Sequence, residues 1–370
     1  MNLSYWEYKS WFSNVDFTIV GSGIVGLNCA LVLREKYPKA KILVLEKGIL
    51  PQGASTKNAG FACFGSLSEI LADLESHSEE ETVQLVQKRF DGIALLRKNL
   101  GDTAIDFQNH GGHELFLEKD ERLYSRCLSE LSRVNGLLAP VFGTGSFEIR
   151  ENKFRFKGIK ESYITHIHEG QIDTGKMMTQ LLRLVQQKNI GILNATEVKS
   201  FEDLGQEVSV HLETMEFKTG RLFIATNGFS EKLLGKTVVP ARAQVLITQP
   251  IKKLHISGTF HFDEGYYYFR NIDDRILFGG GRNLDFKGEE TMDFGQTKRI
   301  QDQLETLLRE VIVPHAVVEV DQRWSGIMGV GKQKKPILKR LSDRVYCGIR
   351  LGGMGIAIGS SVGKELADLA

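Results

Sequence analysis

The stretch that decides the fold is DFTIVGSGIVGLNCALVLREKYPKAKILVLE, residues 16–46. Residues 16–20 have the apolar character of a short buried strand and lead directly into a glycine-rich turn. Residues 24–37 carry apolar side chains at helical spacing and stop before Pro38. Residues 41–45 are again apolar throughout. The stretch therefore predicts a β-strand, an α-helix and a second β-strand, joined by a tight turn.

The turn after the first strand reads Gly21-Ser22-Gly23-Ile24-Val25-Gly26, a GxGxxG pattern, and Glu46 closes the second strand. Gly21 permits the turn, Gly23 lets backbone N–H groups approach a pyrophosphate, and Gly26 lets the helix pack closely on the strand. A helix N-terminus favours an anion, and an acidic residue at this distance accepts hydrogen bonds from a ribose diol. The context predicts a dinucleotide site; a glycine turn that serves packing alone is the alternative.

Composition excludes several classes of protein. The 370 residues suffice for about two domains of roughly 150 residues. With 47 basic and 46 acidic residues, the chain has no general positive field to hold a nucleic acid. The four cysteines lack metal or disulfide spacing, and His166 and His168 have no third metal ligand nearby. No transmembrane stretch or signal peptide is apparent, so we expect a soluble cytoplasmic protein without a metal.

The remaining pattern mixes helices and strands without an internal repeat or a low-complexity linker. It predicts an α/β protein of two domains, in which a Rossmann-like domain is interleaved with a mixed-sheet domain. We expect helices over residues 69–100, 121–139, 175–187 and 296–312 and after a glycine turn at 352–355, and strands around 194–198, 208–212 and 222–225, within 240–280 and at 345–347.

A small-residue loop, KGILPQGASTKNAGFACFG, follows the second strand at residues 47–65, where a simple nicotinamide dehydrogenase would continue with more βα units. Such a loop can lie against a flat ring system. Further motifs are GQIDTGKM (170–177), IATNG (224–228), YYYFR (266–270), RILFGGGRN (275–283), RWSGIM (323–328) and LGGMGIAIGSSVGKELA (351–367). With these motifs the chain resembles the D-amino acid oxidase superfamily of FAD-dependent amine and amino acid oxidoreductases, such as glycine oxidase, sarcosine oxidase and gamma-glutamylputrescine oxidase. The resemblance extends over nearly the whole chain.

The resemblance implies FAD as the cofactor and assigns residues to it. Backbone N–H groups of residues 352–356 would face the pyrimidine end of the flavin, where reduction places negative charge. The FAD-binding residues implied are Gly21, Ser22, Gly23, Ile24, Val25, Gly26, Glu46, Lys47, Ala54, Ser55, Thr56, Asn58, Ala59, Gly60, Val198, Ala225, Thr226, Gly228, Gly326, Gly352, Gly353, Met354, Gly355 and Ile356.

Two departures from the relatives are informative. Relatives with covalent flavin use a His in the loop at 53–60 or a Cys near the WSG segment. In this chain Lys57 stands where that His would be, and residues 326–330 contain no Cys. FAD is therefore expected to be bound non-covalently. Relatives that resemble glycine oxidase bind the substrate carboxylate with an Arg two residues after the WSG glycine, and Met328 stands there. Arg242, Arg270 and Arg350 are the alternative carboxylate ligands.

The expected reaction is FAD-dependent oxidation of an amine or amino acid, in which hydride passes from the substrate C–H to flavin N5 and leaves an imine. Oxygen or an electron carrier would be the acceptor. The alternatives are a flavin dehydrogenase of the same superfamily, acting on a 2-hydroxy acid or polyol with a non-oxygen acceptor, and a non-catalytic flavin-binding protein. The expected walls of the substrate pocket are Phe61, Tyr266, Tyr268, Arg270, Trp324, Met328 and Arg350.

The expected domains are discontinuous. Residues 1–75, 155–235 and 325–370 would form the FAD-binding domain, and residues 76–154 and 236–324 the substrate domain.

Overall fold

The computed structural model describes residues 3–143, 145–333 and 335–370, and these residues form two eight-stranded sheets with helices packed on them. The helices are α1 Tyr5–Glu7, α2 Ile24–Lys36, α3 Leu67–Ser76, α4 Glu79–Leu100, α5 Asp102–Ile105, α6 Glu121–Phe142, α7 Thr174–Gln187, α8 Glu231–Leu234, α9 Lys298–Leu307 and α10 Gly355–Asp368. The strands are β1 Val15–Val20, β2 Ile42–Leu45, β3 Phe61–Ala62, β4 Gly112–Glu114, β5 Phe147–Glu151, β6 Ser162–His166, β7 Gly170–Gln171, β8 Gly191–Leu193, β9 Ser200–Asp203, β10 Val208–His211, β11 Glu216–Ile224, β12 Val239–Thr248, β13 Thr259–Phe262, β14 Tyr267–Ile272, β15 Arg275–Gly280, β16 Val320–Val330, β17 Ile337–Arg340 and β18 Val345–Ile349.

The first sheet contains the predicted strand–helix–strand unit. Its parallel strands lie in the order β18-β11-β1-β2-β8, with β17 antiparallel at one edge and β10 and β9 branching from β11. β1 and β2 are buried on both faces, because residues of α2 and α10 pack on one face and residues of β10 pack on the other. Ile19 and Val44 have no exposed surface. α2 begins at Ile24, within the GxGxxG motif, and ends at Lys36. The predicted α/β fold is confirmed.

The C-terminal helix α10 packs against α2 and α4 through backbone contact. A Cβ at Gly363 would lie 2.6 Å from the Val25 carbonyl oxygen, and a Cβ at Gly92 would overlap the Ala357 carbonyl oxygen. Only glycine allows helices to approach so closely. The end of the chain is thereby fixed on the helix that follows the dinucleotide turn.

The second sheet has the order β16-β12-β15-β14-β13-β4-β6-β5, in which only the β13–β4 pair is parallel. One face carries an aromatic core, where the rings of Phe260 and Phe269 stack with centroids 4.6 Å apart. Tyr267 also packs in this core, whereas its neighbours Tyr266 and Tyr268 point to the other face. The alternation thus separates residues that stabilise the sheet from residues that face a cavity.

Two secondary-structure predictions were wrong in detail. The expected helix over 69–100 is divided, because Ser78 begins α4 with a capping box to Glu81. The expected strand around 194–198 is a loop, in which Ala195 has a φ of +52° and Thr196 donates its N–H to the Glu46 carbonyl oxygen at 2.8 Å. The loop therefore packs against the end of β2 instead of pairing as a strand.

The strand pairing can be compared with the predicted domain boundaries, which remain a prediction. β6 lies within the segment 155–235 assigned to the FAD-binding domain, yet it pairs in the second sheet, and β16 crosses the boundary at 325. Among the described residues, no helix combines the length and apolar character that crossing a membrane requires.

Two buried histidines make the stability of the fold depend on pH. Burial lowers the pKa of His113 to about 3 and that of His166 to about 4, although the charge of Glu169 opposes both shifts. Between pH 6.5 and about 4 the unfolded chain therefore binds more protons than the folded chain. The free energy of unfolding should fall as the pH is lowered through this window, by up to about 1.4 kcal/mol per pH unit for each histidine.

Urea unfolding at pH 7, 6, 5 and 4 measures this slope. His166 packs among Phe64, Phe142 and Phe147, so His166→Phe should fold and reduce the slope. The exposed His315 offers the control His315→Asn, which should leave the slope unchanged. An equal slope in the parent and in His166→Phe would contradict the prediction.

Candidate functional site

A cavity of about 690 Å³ begins at the carboxyl ends of β1, β2 and β11 and extends to one face of the second sheet. Ligands of open parallel sheets bind at such an edge. At the first-sheet end the cavity is lined by Val20, Gly21, Leu45 and Ala225. At the other end it is lined by side chains from β13, β14 and β16, together with α3 and α4.

The dinucleotide turn has the geometry expected from its glycines. Gly21 has a φ of +104°, and a Cβ there would lie 2.8 Å from the Ala225 carbonyl oxygen. A Cβ at Gly26 would overlap the Gly21 carbonyl oxygen, so the helix can approach the strand only without a side chain. Gly23 is the N-cap of α2 and lines the cavity. The positive end of the helix dipole therefore faces the cavity.

Glu46 lies at the cavity wall and is 5% exposed. Its Oε2 accepts hydrogen bonds from the Ser22 backbone N–H at 3.2 Å and hydroxyl at 2.9 Å, and its Oε1 accepts from the Gly48 N–H at 3.0 Å. Ser22 does not line the cavity, so its role is to orient the carboxylate. The two carboxylate oxygens offer about four acceptor sites, of which three are occupied, so Oε1 can still accept a hydrogen bond from a ligand hydroxyl.

The loop after β2 is organised by Asn58. Its amide donates to the carbonyl oxygens of Ala54 and Ser55, and its Oδ1 accepts from the Gly60 N–H and the Thr174 hydroxyl, both at 2.8 Å. Side-chain bonds to the loop backbone replace the pairing that a strand or helix would supply. The loop is therefore rigid enough to present its backbone to a ligand.

Two residues expected in the substrate pocket hold this loop from behind instead. Arg270 is buried, does not line the cavity, and donates to the carbonyl oxygens of Gly60 and Ile172. Trp324 donates its indole N–H to the Lys57 carbonyl oxygen at 3.0 Å, and it does not line the cavity either. Neither placement supports a direct contact with substrate.

The lining fits a long, flat cofactor. Gly53, Gly352, Gly353 and Gly355 line the cavity, and a Cβ at any of them would meet nothing within 4 Å. A strip of backbone is therefore left open to a ligand. The Thr226 hydroxyl is buried at the wall without a hydrogen-bond partner in the described residues. α10 begins at Gly355, so a second helix N-terminus points to this end of the cavity.

The model of the DAO family, described as FAD dependent oxidoreductase, matches residues 16–369. The chain belongs to this family. Its cofactor is FAD, and the adenosine end of the cofactor would lie at Glu46 and the dinucleotide turn. The flavin end would lie between the loop at 53–61 and the glycines at 352–355. These assignments of single residues to FAD remain predictions.

The chain is similar to other proteins of this fold over most of its length. "Probable oxidoreductase OrdL" of Rhizobium meliloti is 24% identical over 96% of this chain and 82% of its own. Glycine oxidase from Geobacillus kaustophilus superposes with a TM-score of 0.77 at 17% identity, covering 96% of this chain and 94% of that one. L-proline dehydrogenase from P. horikoshii superposes with a TM-score of 0.75 at 18% identity, covering 96% and 93%.

Most of the predicted site residues face the cavity. Those lining it are Gly21, Gly23, Ile24, Val25, Glu46, Lys47, Ala54, Ser55, Asn58, Ala59, Val198, Ala225, Thr226, Gly228, Gly326, Gly352, Gly353, Met354, Gly355 and Ile356 on the cofactor side and Phe61, Tyr266, Tyr268, Met328 and Arg350 on the substrate side. Those that do not line it are Ser22, Gly26, Thr56 and Gly60, together with Arg270 and Trp324.

The substrate side of the cavity forms a chamber with aromatic walls. The rings of Phe61 and Tyr268 meet edge to face at 5.8 Å, and His261 lies 5.6 Å from Phe61. Burial raises the pKa of Tyr268 to about 12, so its phenol is neutral at physiological pH. Cys63 also lines the cavity, and burial raises the pKa of its thiol well above the usual value. A neutral thiol is a poor nucleophile, which supports non-covalent FAD.

Behind the chamber lies a buried polar cluster that sequence reasoning did not find. His261 Nε2 lies 3.8 Å from Glu169 Oε2, an ionic contact beyond hydrogen-bond distance. Burial opposes the charge of both groups, but their attraction prevails, so the pKa of His261 is raised and that of Glu169 is lowered. Glu169 Oε1 also accepts the N–H groups of Phe64 and Gly65. The cluster thus fixes the segment after β3, next to Phe61 and Cys63.

Other cavity-lining polar residues were not assigned from the sequence either. They come from separate elements and loops and become neighbours only in the folded chain. Lys57, Asn227 and Arg282 were the most accessible to prediction, because each lies within a motif quoted from the sequence. The additional residues are Lys57, Ser68, Glu69, Arg89, Thr196, Glu197, Asn227, Lys232, Glu264, Arg282 and Gln333.

The geometry at Glu46 predicts the effect of removing its carboxylate. Charge-assisted hydrogen bonds to the ribose hydroxyls contribute about 1.5–3 kcal/mol each, so Glu46→Ala should weaken FAD binding about tenfold or more. Equilibrium dialysis of the apoprotein against FAD measures the affinity. Glu35→Gln on the exposed face of α2 is the control. Retention of FAD by a folded Glu46→Ala protein as tightly as by the parent would disprove the assignment.

Proposed function

We propose that this protein oxidises the carbon–nitrogen bond of an amine or amino acid, with oxygen or an electron carrier as the acceptor. The observation that carries the proposal is the carboxylate of Glu69 in the chamber wall. Glu69 Oε2 accepts the Ser66 N–H at 2.9 Å, whereas Oε1 has neither a hydrogen bond nor an ion pair in the described part of the chain. The charge of Glu69 also contributes to the raised pKa of His261. An amine arrives as an ammonium ion, to which a carboxylate offers a charge-assisted hydrogen bond.

The chamber residues would bind and orient the amine. Phe61 and Tyr268 cover the approach to the cofactor loop and exclude water, which strengthens the attraction between Glu69 and a cation. Met328 brings no positive charge to its side of the chamber. The ammonium ion would first release a proton to solvent. Bound FAD would then supply the acceptor for the hydride of the substrate C–H bond, and the iminium ion that remains would lose a proton to give an imine that water hydrolyses.

The relatives support an amine as the substrate. Glycine oxidase, L-proline dehydrogenase and the iminodiacetate oxidase of Chelativorans sp. are each named for a compound with a carbon–nitrogen single bond. Their names include both oxidases and a dehydrogenase, so the electron acceptor stays open. A comparison of oxygen consumption with dye reduction under nitrogen would decide it.

Anaerobic bleaching of the bound flavin tests the reaction. A panel should contain primary and secondary amines, amino acids, 2-hydroxy acids and polyols. We expect bleaching by one or more amines. Bleaching by a 2-hydroxy acid or polyol alone would replace the proposal with the alternative dehydrogenase. Absence of bleaching by every compound would indicate a non-catalytic flavoprotein.

The role of Glu69 gives a sharper prediction. Glu69→Gln keeps the capping box at the start of α3, because glutamine also fits the third helical position. Only the charge is lost, so the apparent Kd of the amine in stopped-flow flavin reduction should rise about tenfold. The exposed Glu80 on α4 provides the control Glu80→Gln. An unchanged Kd in Glu69→Gln would remove Glu69 from the amine site.

A further inference from the structure

We infer that Arg282 binds a carboxylate of the substrate at the mouth of the cavity, so that the preferred substrate carries its carboxylate at a distance from the oxidised carbon. The part of the inference that concerns the oxidised amine rests on the proposed function. The part that concerns the carboxylate rests on the placement of Arg282.

Arg282 is directed to the cavity by a turn that only glycine can form. β15 ends at Gly280 with a φ of +128°, and Gly281 follows with a φ of +76°. A Cβ at Gly280 would overlap the Tyr266 carbonyl oxygen, and the Gly281 N–H donates to that same oxygen at 3.0 Å. Asn283 then donates to Asp263 at 2.8 Å and fixes the far side of the turn. The position of Arg282 is thus determined on both sides.

The guanidinium of Arg282 has no acceptor within the described residues. It donates no hydrogen bond, forms no ion pair, and has its Nε buried without a partner. Its contact is with the face of the Phe286 ring, 4.9 Å from the centroid, which orients the plane of the guanidinium but satisfies none of its N–H groups. A buried donor without an acceptor is costly, and a planar fork of donors matches a carboxylate.

The other arginines at or near the cavity are already engaged. Each donates to a carbonyl oxygen or a carboxylate of the protein, so none offers its full fork of donors to a ligand. Arg89 bonds the Phe64 carbonyl and pairs with Asp73, Arg242 binds Glu289 through two hydrogen bonds, Arg270 bonds Gly60 and Ile172, and Arg350 bonds the Lys335 carbonyl twice.

The location of Arg282 separates the carboxylate from the oxidised carbon. Its neighbours Tyr266 and Phe286 are 38% and 43% exposed, which places Arg282 at the solvent side of the chamber. Met328 lies on β16, and β12 runs between β16 and β15. Two strand spacings, roughly 9–10 Å, therefore separate the backbone at Met328 from the strand that leads to Arg282. A carboxylate at Arg282 thus lies far from one that would be bound at Met328.

The test compares three classes of amine in stopped-flow flavin reduction: glycine and D-alanine, 4-aminobutyrate and 5-aminopentanoate, and butylamine. We expect the second class to have the lowest apparent Kd. Arg282→Gln should raise that Kd about tenfold or more and leave butylamine unaffected, while Arg282→Lys should retain part of the affinity. The exposed Arg299 on α9 supplies the control Arg299→Gln. Equal Kd values for 5-aminopentanoate in the parent and in Arg282→Gln would overturn the inference.

A second measurement does not depend on turnover. Pentanoate, which carries the carboxylate without the amine, should raise the thermal unfolding midpoint of the FAD-loaded parent but not that of Arg282→Gln. If no amine bleaches the flavin yet pentanoate binds only when Arg282 is present, the proposed reaction fails and the carboxylate site stands. If amines bleach the flavin but pentanoate stabilises both proteins equally, the carboxylate site fails and the reaction stands.

Discussion

The backbone carbonyl of Gly60 is the point at which the two sheets are tied to the cofactor loop. It accepts the N–H of Ile172 at 2.8 Å and a guanidinium N–H of Arg270 at 3.1 Å, and Arg270 also bonds the Ile172 carbonyl at 2.6 Å. Arg270 belongs to β14 of the second sheet, whereas Gly60 ends the loop that follows β2 of the first. Burial lowers the pKa of Arg270 to about 10, which still leaves the guanidinium charged at neutral pH.

This tie limits what can change around it. Gly60 has a φ of +75°, and a side chain there would overlap both the Ile172 carbonyl and the Arg270 guanidinium. Loss of the guanidinium would leave the buried Ile172 carbonyl oxygen without its donor, at a cost of about 1–3 kcal/mol, and would leave the Gly60 carbonyl with the Ile172 N–H alone. Since the loop from 53 to 61 lines the cofactor cavity, its position relative to the chamber depends on this contact.

The cofactor half of the site was predictable from the sequence because its signals are local. The turn from Gly21 to Gly26 and Glu46 lie within one strand–helix–strand unit, and each glycine has a backbone reason that can be stated before the structure is known. The substrate half was not predictable, because its polar residues come from separate elements. Glu69 on α3, His261 on β13 and Arg282 after β15 become neighbours of one cavity only when the second sheet forms.

The arginines show the same limit of prediction from sequence. The resemblance implies that Met328 stands where some relatives have an arginine, and the sequence contains other arginines, but it cannot show which guanidinium is engaged by the protein. Arg242 and Arg270 proved to be bound by Glu289 and by backbone carbonyls, whereas Arg282 has neither kind of partner in the described residues. Availability of a charged group is a property of its surroundings, and no spacing rule reports it.

The alternation of side chains between the two faces of β14 explains how the substrate of such a site can change while the fold is kept. Tyr267 and Phe269 pack in the aromatic core, while Tyr268 and the adjoining Tyr266 line the chamber. Substitutions on the chamber face remove few core contacts, so they alter recognition at little cost in stability. Arg270 is the exception on this face, because it binds the cofactor loop. We therefore expect the walls of the chamber to vary among proteins of this fold more freely than the arginine behind it.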